Sequence, residues 1–330
     1  MLNAIEKKQS LGQYFTTLNS WCTDEVREFI LSSPCTVAFD PFAGKGDLLA
    51  FSRMLGFKKT VGLDIDKSLS FEVNDSLVSI PHIDNAIIIT NPPYLAKQSA
   101  TRKHLPSEKY FNTTTYDDLY LLALDKILEA CRHVVAIVPE SFINSMYKHK
   151  DLLYSISILE ENPFLDTENP VCVLCFDSVK KPLSAVKVYK NNNYIKNFQE
   201  LLNLKLFPKR NVEMSFNDLN GWLALRAVDS TDDKKVISFG EKQNFHYDWN
   251  SCIKNTSRHI TLINIDVEKS KWAEFINEAN KEVSDLRIKS SDVILTPFKG
   301  NTKSGHRRRR LDYTQARAIL EKTYEKVVGF

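Results

Sequence analysis

The stretch Ala86-Ile87-Ile88-Ile89-Thr90-Asn91-Pro92-Pro93-Tyr94 decides the reading of this chain. Its first five residues form a short apolar run rich in β-branched side chains, the pattern of a buried parallel strand. The next four place a carboxamide, a backbone carbonyl and an aromatic ring where that strand ends. In open α/β sheets, ligands bind at the carboxyl ends of the strands. The amide oxygen of Asn91 and the carbonyl of Pro92 can both accept hydrogen bonds from a single NH2 group. Two such bonds draw a planar amino group out of conjugation and free its lone pair. Tyr94 can stack on the ring that carries the amino group, and its π face favours a nearby sulfonium cation. This chemistry suits methyl transfer to nitrogen. A Pro-Pro pair after a strand is also ordinary rigid-turn chemistry, and the tetrapeptide alone leaves both readings open.

Upstream, Thr36-Val37-Ala38-Phe39 reads as a strand, followed by Asp40-Pro41-Phe42-Ala43-Gly44-Lys45-Gly46-Asp47. Leu48 to Leu55 has helical character, and Gly56 is placed to end it. Gly44 and Gly46 permit close backbone approach, and Asp40 sits where a ligand ammonium could be met. The turn lacks the spacing of a dinucleotide fingerprint, and Lys45 is not followed by the Ser or Thr of a P-loop. A further strand, Thr60-Val61-Gly62-Leu63, ends in Asp64 and Ile65. An acidic residue about twenty positions past a glycine turn is the usual partner of ribose hydroxyls. It could equally be a solvated cap. Val73-Asn74-Asp75-Ser76 supplies another acidic turn, which by itself is common turn chemistry.

In this order, D-P-F-A-G-K-G, L-D-I-D, N-D-S and N-P-P-Y resemble the S-adenosylmethionine-dependent amino-methyltransferases of DNA. Gly12-Gln13-Tyr14-Phe15-Thr16-Thr17 is similar to the G-Q-[FY]-[FY]-T-P element of the gamma-type adenine-N6 enzymes, with Thr17 in place of proline. The resemblance implies a Rossmann-like catalytic domain and S-adenosylmethionine as cofactor. It makes Tyr14, Phe15 and Thr16 cofactor-side residues and the turn Asp40, Pro41, Ala43, Gly44 and Gly46 the methionine-end site. Asp64, with Ile65 beside it, becomes the ribose ligand, and Asp75 the acceptor for the cofactor's adenine amino group. Asn91, Pro92, Pro93 and Tyr94 become the catalytic set. Asn162-Pro163-Phe164 resembles the family's segment before a late β-hairpin, which makes Phe164 a second stacking partner for a flipped base; a core residue at a loop entrance is the plainer alternative.

The expected architecture is α/β, a doubly wound and mostly parallel sheet with a late hairpin, followed by a mixed α+β target-recognition domain. The catalytic domain is expected over residues 1–180 and the second over 181–330, with a boundary at Lys180-Lys181-Pro182. Residues 1–180 carry 17 Lys+Arg against 23 Asp+Glu, and residues 181–330 carry 27 against 18. That asymmetry points to a polyanion partner for the second part. Arg307-Arg308-Arg309-Arg310 reads as a loop that follows a phosphate backbone or reaches guanine edges. A solvated face is the alternative. The long polar stretch from Leu95 to Asp118, with Lys97, Arg102 and Lys103, reads as a loop that closes over an extruded base, or as a plain surface loop.

No run of eighteen apolar residues and no apolar leader core appear, so no membrane partner is expected and a cytoplasmic location is. The six cysteines are scattered. Cys172-x-x-Cys175 lies within a strand pattern, which favours a buried strand over a metal or redox site. No metal is expected. The partners expected are duplex DNA and, in a restriction-modification or phage setting, a cognate restriction endonuclease. Transfer to RNA adenine, to cytosine N4 or to protein glutamine suits the same tetrapeptide, and a non-catalytic DNA-binding protein on the same fold is a further alternative.

Overall fold

A computed structural model describes residues 19–164, 168–254 and 257–329. The chain divides after Phe198 into two compact units. Among the described residues the first holds nine strands: β1 (Val37–Asp40), β2 (Lys59–Asp64), β3 (Glu72–Val73), β4 (Ala86–Thr90), β5 (His133–Pro139), β6 (Leu153–Ile158), β7 (Val171–Phe176), β8 (Lys187–Lys190) and β9 (Asn193–Asn197). They form one sheet in the order β3-β2-β1-β4-β5-β7-β6-β8-β9. The pairs from β3 through β5 are parallel, and β7 runs antiparallel between β5 and β6. This is the expected doubly wound sheet with its late hairpin, a Rossmann-like fold.

The central strands β4 and β7 are buried along their whole length, as apolar runs without alternation require. The strand order reverses between β1 and β4. Their register, Val37↔Ala86 to Phe39↔Ile88, brings Asp40 and Thr90 out at the same carboxyl edge. Such a reversal opens a crevice in which α/β proteins bind ligands. Helix Asp47–Met54 lies close to its expected limits, and helices Asp24–Ser32 and Leu119–Ala130 join it in the first unit. Leu119–Ala130 is buried on most of its surface, because its sequence is apolar on nearly all sides. Gly46 enters helix Asp47–Met54 at φ 84°, and a Cβ there would stand 2.8 Å from Phe71 Cζ. Both constraints call for glycine. Cys172 and Cys175 lie in β7, fully buried, and burial pushes both thiols up, consistent with an apolar strand.

The boundary differs from the one expected at Lys180–Pro182. β8 pairs with β6 and β9 with β8, so the first sheet continues past that point. Val186 and Val188 are fully buried in it. A Lys-Lys-Pro signal marks a turn here and not the end of a core. With the division after Phe198, the first unit has 21 Lys+Arg against 23 Asp+Glu and the second 23 against 18. The second remains basic, at +5, but part of the expected excess belongs to the β8–β9 hairpin.

The second unit has a four-stranded antiparallel sheet in the order β10 (Met214–Phe216), β13 (Ile260–Ile265), β11 (Leu223–Arg226), β12 (Ser238–Glu241). A two-stranded ribbon, β14 (Thr296–Asn301) with β15 (Arg307–Arg310), and helices Trp272–Ser290 and Tyr313–Val327 complete it. Asp312 caps the last helix by accepting from Gln315 N at 2.9 Å. Leu223, Ala224 and Leu225 are fully buried in β11. Beside them Trp222 stacks on Trp272 at 4.2 Å with the rings parallel.

Candidate active site

A cleft opens at the carboxyl edge where the strand order reverses. Its wall combines Pro41, Phe42 and Gly44 after β1, Asp64 and Ile65 after β2, and Asn74 to Leu77 after β3. Asn91 and Pro93 after β4, with Ser107, Tyr110 and Leu119, close it. Residues from four successive strand ends thus meet at one place.

The first turn is held by its neighbours. Gly44, at φ 53°, donates its N–H to Asp64 Oδ2 at 2.8 Å, and Asp66 N donates to Asp64 Oδ1 at 2.8 Å. Asp64 therefore shapes the turn with the same carboxylate that faces the cleft. Ala43 N donates to the Leu63 carbonyl at 2.8 Å, which ties the turn to β2. Asp40 lies behind the turn and is buried. It accepts from Thr90 Oγ1 at 2.6 Å and from Phe42 N at 3.0 Å. Burial pushes its carboxyl up to about 7, with nearby Asp64 adding to the rise and the two hydrogen bonds opposing it. Of the expected cofactor-side residues, Pro41, Gly44, Asp64, Ile65 and Asp75 line the cleft; Asp40, Ala43 and Gly46 support the turn from behind or from below. Tyr14, Phe15 and Thr16 lie outside the described residues.

Asp75 sits in a turn held by its own carbonyl, which accepts from Val78 N at 2.9 Å and Ser79 N at 3.2 Å. Its Oδ2 accepts from the Tyr110 hydroxyl at 2.7 Å. Its Oδ1 is buried and has no hydrogen-bond partner among the described residues. A buried acceptor of this kind marks a place where a ligand or water completes the bonding.

At the end of β4, Asn91 and Pro93 line the cleft, whereas Tyr94 turns inward and is mostly buried. The Tyr94 hydroxyl contacts both Asn91 Oδ1 and, at 2.7 Å, the Ile137 carbonyl. With one hydrogen to give, it can serve only one of these acceptors at a time. Phe164 is buried beside it, with ring centroids 6.3 Å apart and planes at 67°. The two rings meet edge to face, so a base stacked on both requires one of them to turn.

The segment from Leu95 to Asp118 is more ordered than a polar loop would be. It contains the helix Lys97–Arg102 and the 3₁₀ turn Pro106–Thr113. Its ends are joined by Lys97 N donating to Asp117 O at 2.8 Å and Leu119 N donating to Leu95 O at 3.0 Å. Tyr110 and Phe111 are buried, while Lys97, Arg102 and Lys103 remain exposed. Tyr110, Ser107 and Leu119 are cleft residues that sequence reasoning missed. The only signal available for them was their position after Asn91–Tyr94.

The four arginines do not form a loop. Arg307–Arg310 is strand β15, paired with β14. Side chains alternate across a strand, so a run of four cannot all face water. Arg307 and Arg309 are buried, and Arg308 and Arg310 are half-buried. Arg309 N donates to Asp229 Oδ2 at 3.0 Å, and the same carboxylate pairs with Arg287 at 2.9 Å. Arg308 lies over the Phe298 ring at 4.9 Å and donates from Nε to the Asp229 carbonyl at 2.8 Å. The expectation of four phosphate-facing arginines is therefore corrected: the inner two belong to the interior of the second unit.

Residues 78–164, less than half of the chain, match the model of the Eco57I restriction-modification methylase family. The matched segment contains Asn91–Tyr94, Tyr110 and Phe164. No curated protein matches the chain. Among solved structures, it is similar to a putative class I S-adenosylmethionine-dependent methyltransferase from Listeria monocytogenes, at 14% identity and TM-score 0.38 over 51% of this chain and 62% of that one. It is also similar to the type I restriction-modification methyltransferase subunit from Streptococcus thermophilus, at 14% identity and TM-score 0.39 over 58% of this chain and 52% of that one. A putative RNA methyltransferase from Pyrococcus horikoshii gives 19% identity and TM-score 0.36 over 52% of this chain and 90% of that one. The chain thus spans less than two thirds of the first two, and likenesses at this level decide nothing about substrate.

Proposed function

We propose that this chain is an S-adenosylmethionine-dependent methyltransferase that modifies N6 of an adenine flipped out of duplex DNA, in a restriction-modification setting. The observation that carries the reading is the meeting of Asn91 and Pro93 with Asp64 and Asp75 in one cleft at the sheet's reversal point. The match of residues 78–164 to a restriction-modification methylase model supports it.

The residues present fit the cofactor. Gly44 offers close backbone approach, Asp64 lines the cleft where it would accept from ribose hydroxyls, and Asp75 Oδ1 is a buried acceptor with no hydrogen-bond partner among the described residues. When bound, the cofactor supplies a methyl group activated by its sulfonium.

On the substrate side, Asn91 Oδ1 and the Pro92 carbonyl accept from the two N6 hydrogens and localise the lone pair. Tyr94 and Phe164 turn to hold the extruded base. With the base so held, the bound cofactor would supply the methyl group to N6, and a proton of N6 would pass to water. The products are N6-methyladenine and S-adenosylhomocysteine. Most of the acceleration comes from alignment and the exclusion of water. Lys97, Arg102 and Lys103 are placed on the segment after the tetrapeptide to meet phosphates. The basic second unit, with Arg308 among its accessible cations, supplies target recognition.

The test is transfer of tritiated methyl from S-adenosylmethionine to duplex DNA, followed by nucleoside analysis. N6-methyladenine is the expected product. Label in N4-methylcytosine, in RNA or protein only, or nowhere would overturn the reading.

A further inference from the structure

Two residues that are distant in sequence meet at one end of the cleft. The Tyr110 hydroxyl donates to Asp75 Oδ2 at 2.7 Å, and the Lys109 ammonium lies 3.8 Å from the same oxygen. Asp75 cannot easily shift as a whole, since its carbonyl accepts from Val78 N and Ser79 N. What remains is rotation of the carboxylate, and the Tyr110 bond fixes it. The other oxygen, Oδ1, is buried and without a partner among the described residues. Both residues line the cleft. Burial, then the Asp75 carboxylate, pushes the Tyr110 phenol above its ordinary range, so it stays a donor throughout neutral and mildly alkaline solution.

We propose that Tyr110 is a positioning residue, which holds the Asp75 carboxylate so that its other oxygen selects a 6-aminopurine nucleoside in the cleft. The inference rests on the proposed function and deepens it. It assigns to the segment after Asn91–Tyr94 a part in choosing the cofactor.

The selection follows from donor and acceptor patterns. A 6-aminopurine presents an N–H donor at position 6 and an acceptor at N1. Its deaminated counterpart presents an acceptor at position 6 and an N–H donor at N1. A carboxylate oxygen fixed opposite position 6 accepts from the first and meets an oxygen of the second. A carboxylate free to rotate can reach the N1–H of the deaminated ring and recover the lost bond. Tyr110 prevents that rotation. Removing its hydroxyl should therefore relax the choice between the two nucleosides, beyond any uniform loss of affinity.

The experiment is calorimetric titration of the full chain with S-adenosylhomocysteine and with S-inosylhomocysteine. Wild-type protein is expected to prefer the adenosine compound by at least roughly tenfold, the scale of one lost charge-assisted hydrogen bond. In Tyr110→Phe the preference should shrink severalfold, with the thermal unfolding curve serving as a check on folding. Asp75→Asn provides a second variant. The Lys109 ammonium and the Tyr110 hydroxyl favour the amide oxygen at the Oδ2 position, which turns the amide NH2 toward the ligand. That variant should shift its preference toward the inosine compound. An unchanged preference ratio in Tyr110→Phe would overturn this inference alone; if that variant does not fold, an unchanged ratio in Asp75→Asn would do so. Wild-type protein that binds both compounds equally would remove the Asp75 subsite and this inference with it. Wild-type protein that binds neither would overturn the proposed function itself.

Discussion

At Asn91 the proposed chemistry is most exposed to test. Its amide oxygen is in contact with the Tyr94 hydroxyl, which has a second acceptor in the Ile137 carbonyl. Tyr94 can therefore release Asn91 to a substrate amino group without losing every partner. Asn91→Ala is expected to lower methyl transfer by at least a hundredfold while leaving S-adenosylhomocysteine affinity within about tenfold, because the bond strengthens in the transition state. Single-turnover transfer beside calorimetry separates the two; near-normal turnover would remove Asn91 from the catalytic set. Asp40 yields a pH signature. Its buried carboxyl titrates near 7, above the ordinary value. A raised carboxyl stabilises the folded state below its unfolded value, near 4, and loses that contribution as pH rises through 7. The ligand-free protein should therefore melt lower at pH 8 than at pH 6, and Asp40→Asn should narrow that difference. Identical melting profiles for the two proteins would take Asp40 out of this argument.

The elements that carry the cleft were legible in sequence because each is a local pattern. Ala86–Thr90 is a continuous apolar run and lies at the expected limits; Leu119–Ala130 is apolar on nearly every side of a helix. What was missed is non-local. Tyr110 meets Asp75 across thirty-five residues, and no period or spacing announces such a pair. β8 and β9 read as the start of a new domain because only their pairing to β6 reveals one sheet. The arginine run was misread because composition was weighed before strand alternation. β15 divides it into Arg307 and Arg309, which are buried, and Arg308 and Arg310, which are half-buried. The two classes should respond differently. Arg309→Ala should destabilise the second unit by about 2–4 kcal/mol, since it empties the space of a fully buried side chain. Arg308→Ala should cost no more than about 1 kcal/mol and instead reduce the salt slope of DNA binding by about one unit. Denaturant unfolding and salt-dependent binding measure the two effects. Equal loss of stability in both variants would show that alternation does not sort the run.

Each of the two units has its own sheet and its own buried core. The cleft is built entirely from residues of the first, while the second carries a net charge of +5 against −2 for the first. On the proposed function, cofactor chemistry would belong to the first unit and polyanion attraction to the second. This division has a thermodynamic consequence, because a ligand stabilises only the cooperative unit that binds it. Calorimetric unfolding should show two transitions. S-adenosylhomocysteine at a hundred times its dissociation constant adds about 2.7 kcal/mol to the unit that holds the cleft, and only that transition should move. Duplex DNA should raise the other transition, and its effect should fade steeply with added salt, since the attraction comes from displaced counterions. A single transition moved equally by both ligands would show that the two units unfold as one and that the charge difference does not divide the labour. If DNA raises only the transition that S-adenosylhomocysteine raises, recognition belongs to Lys97, Arg102, Lys103 and their neighbours in the first unit, and the basic second unit needs another partner.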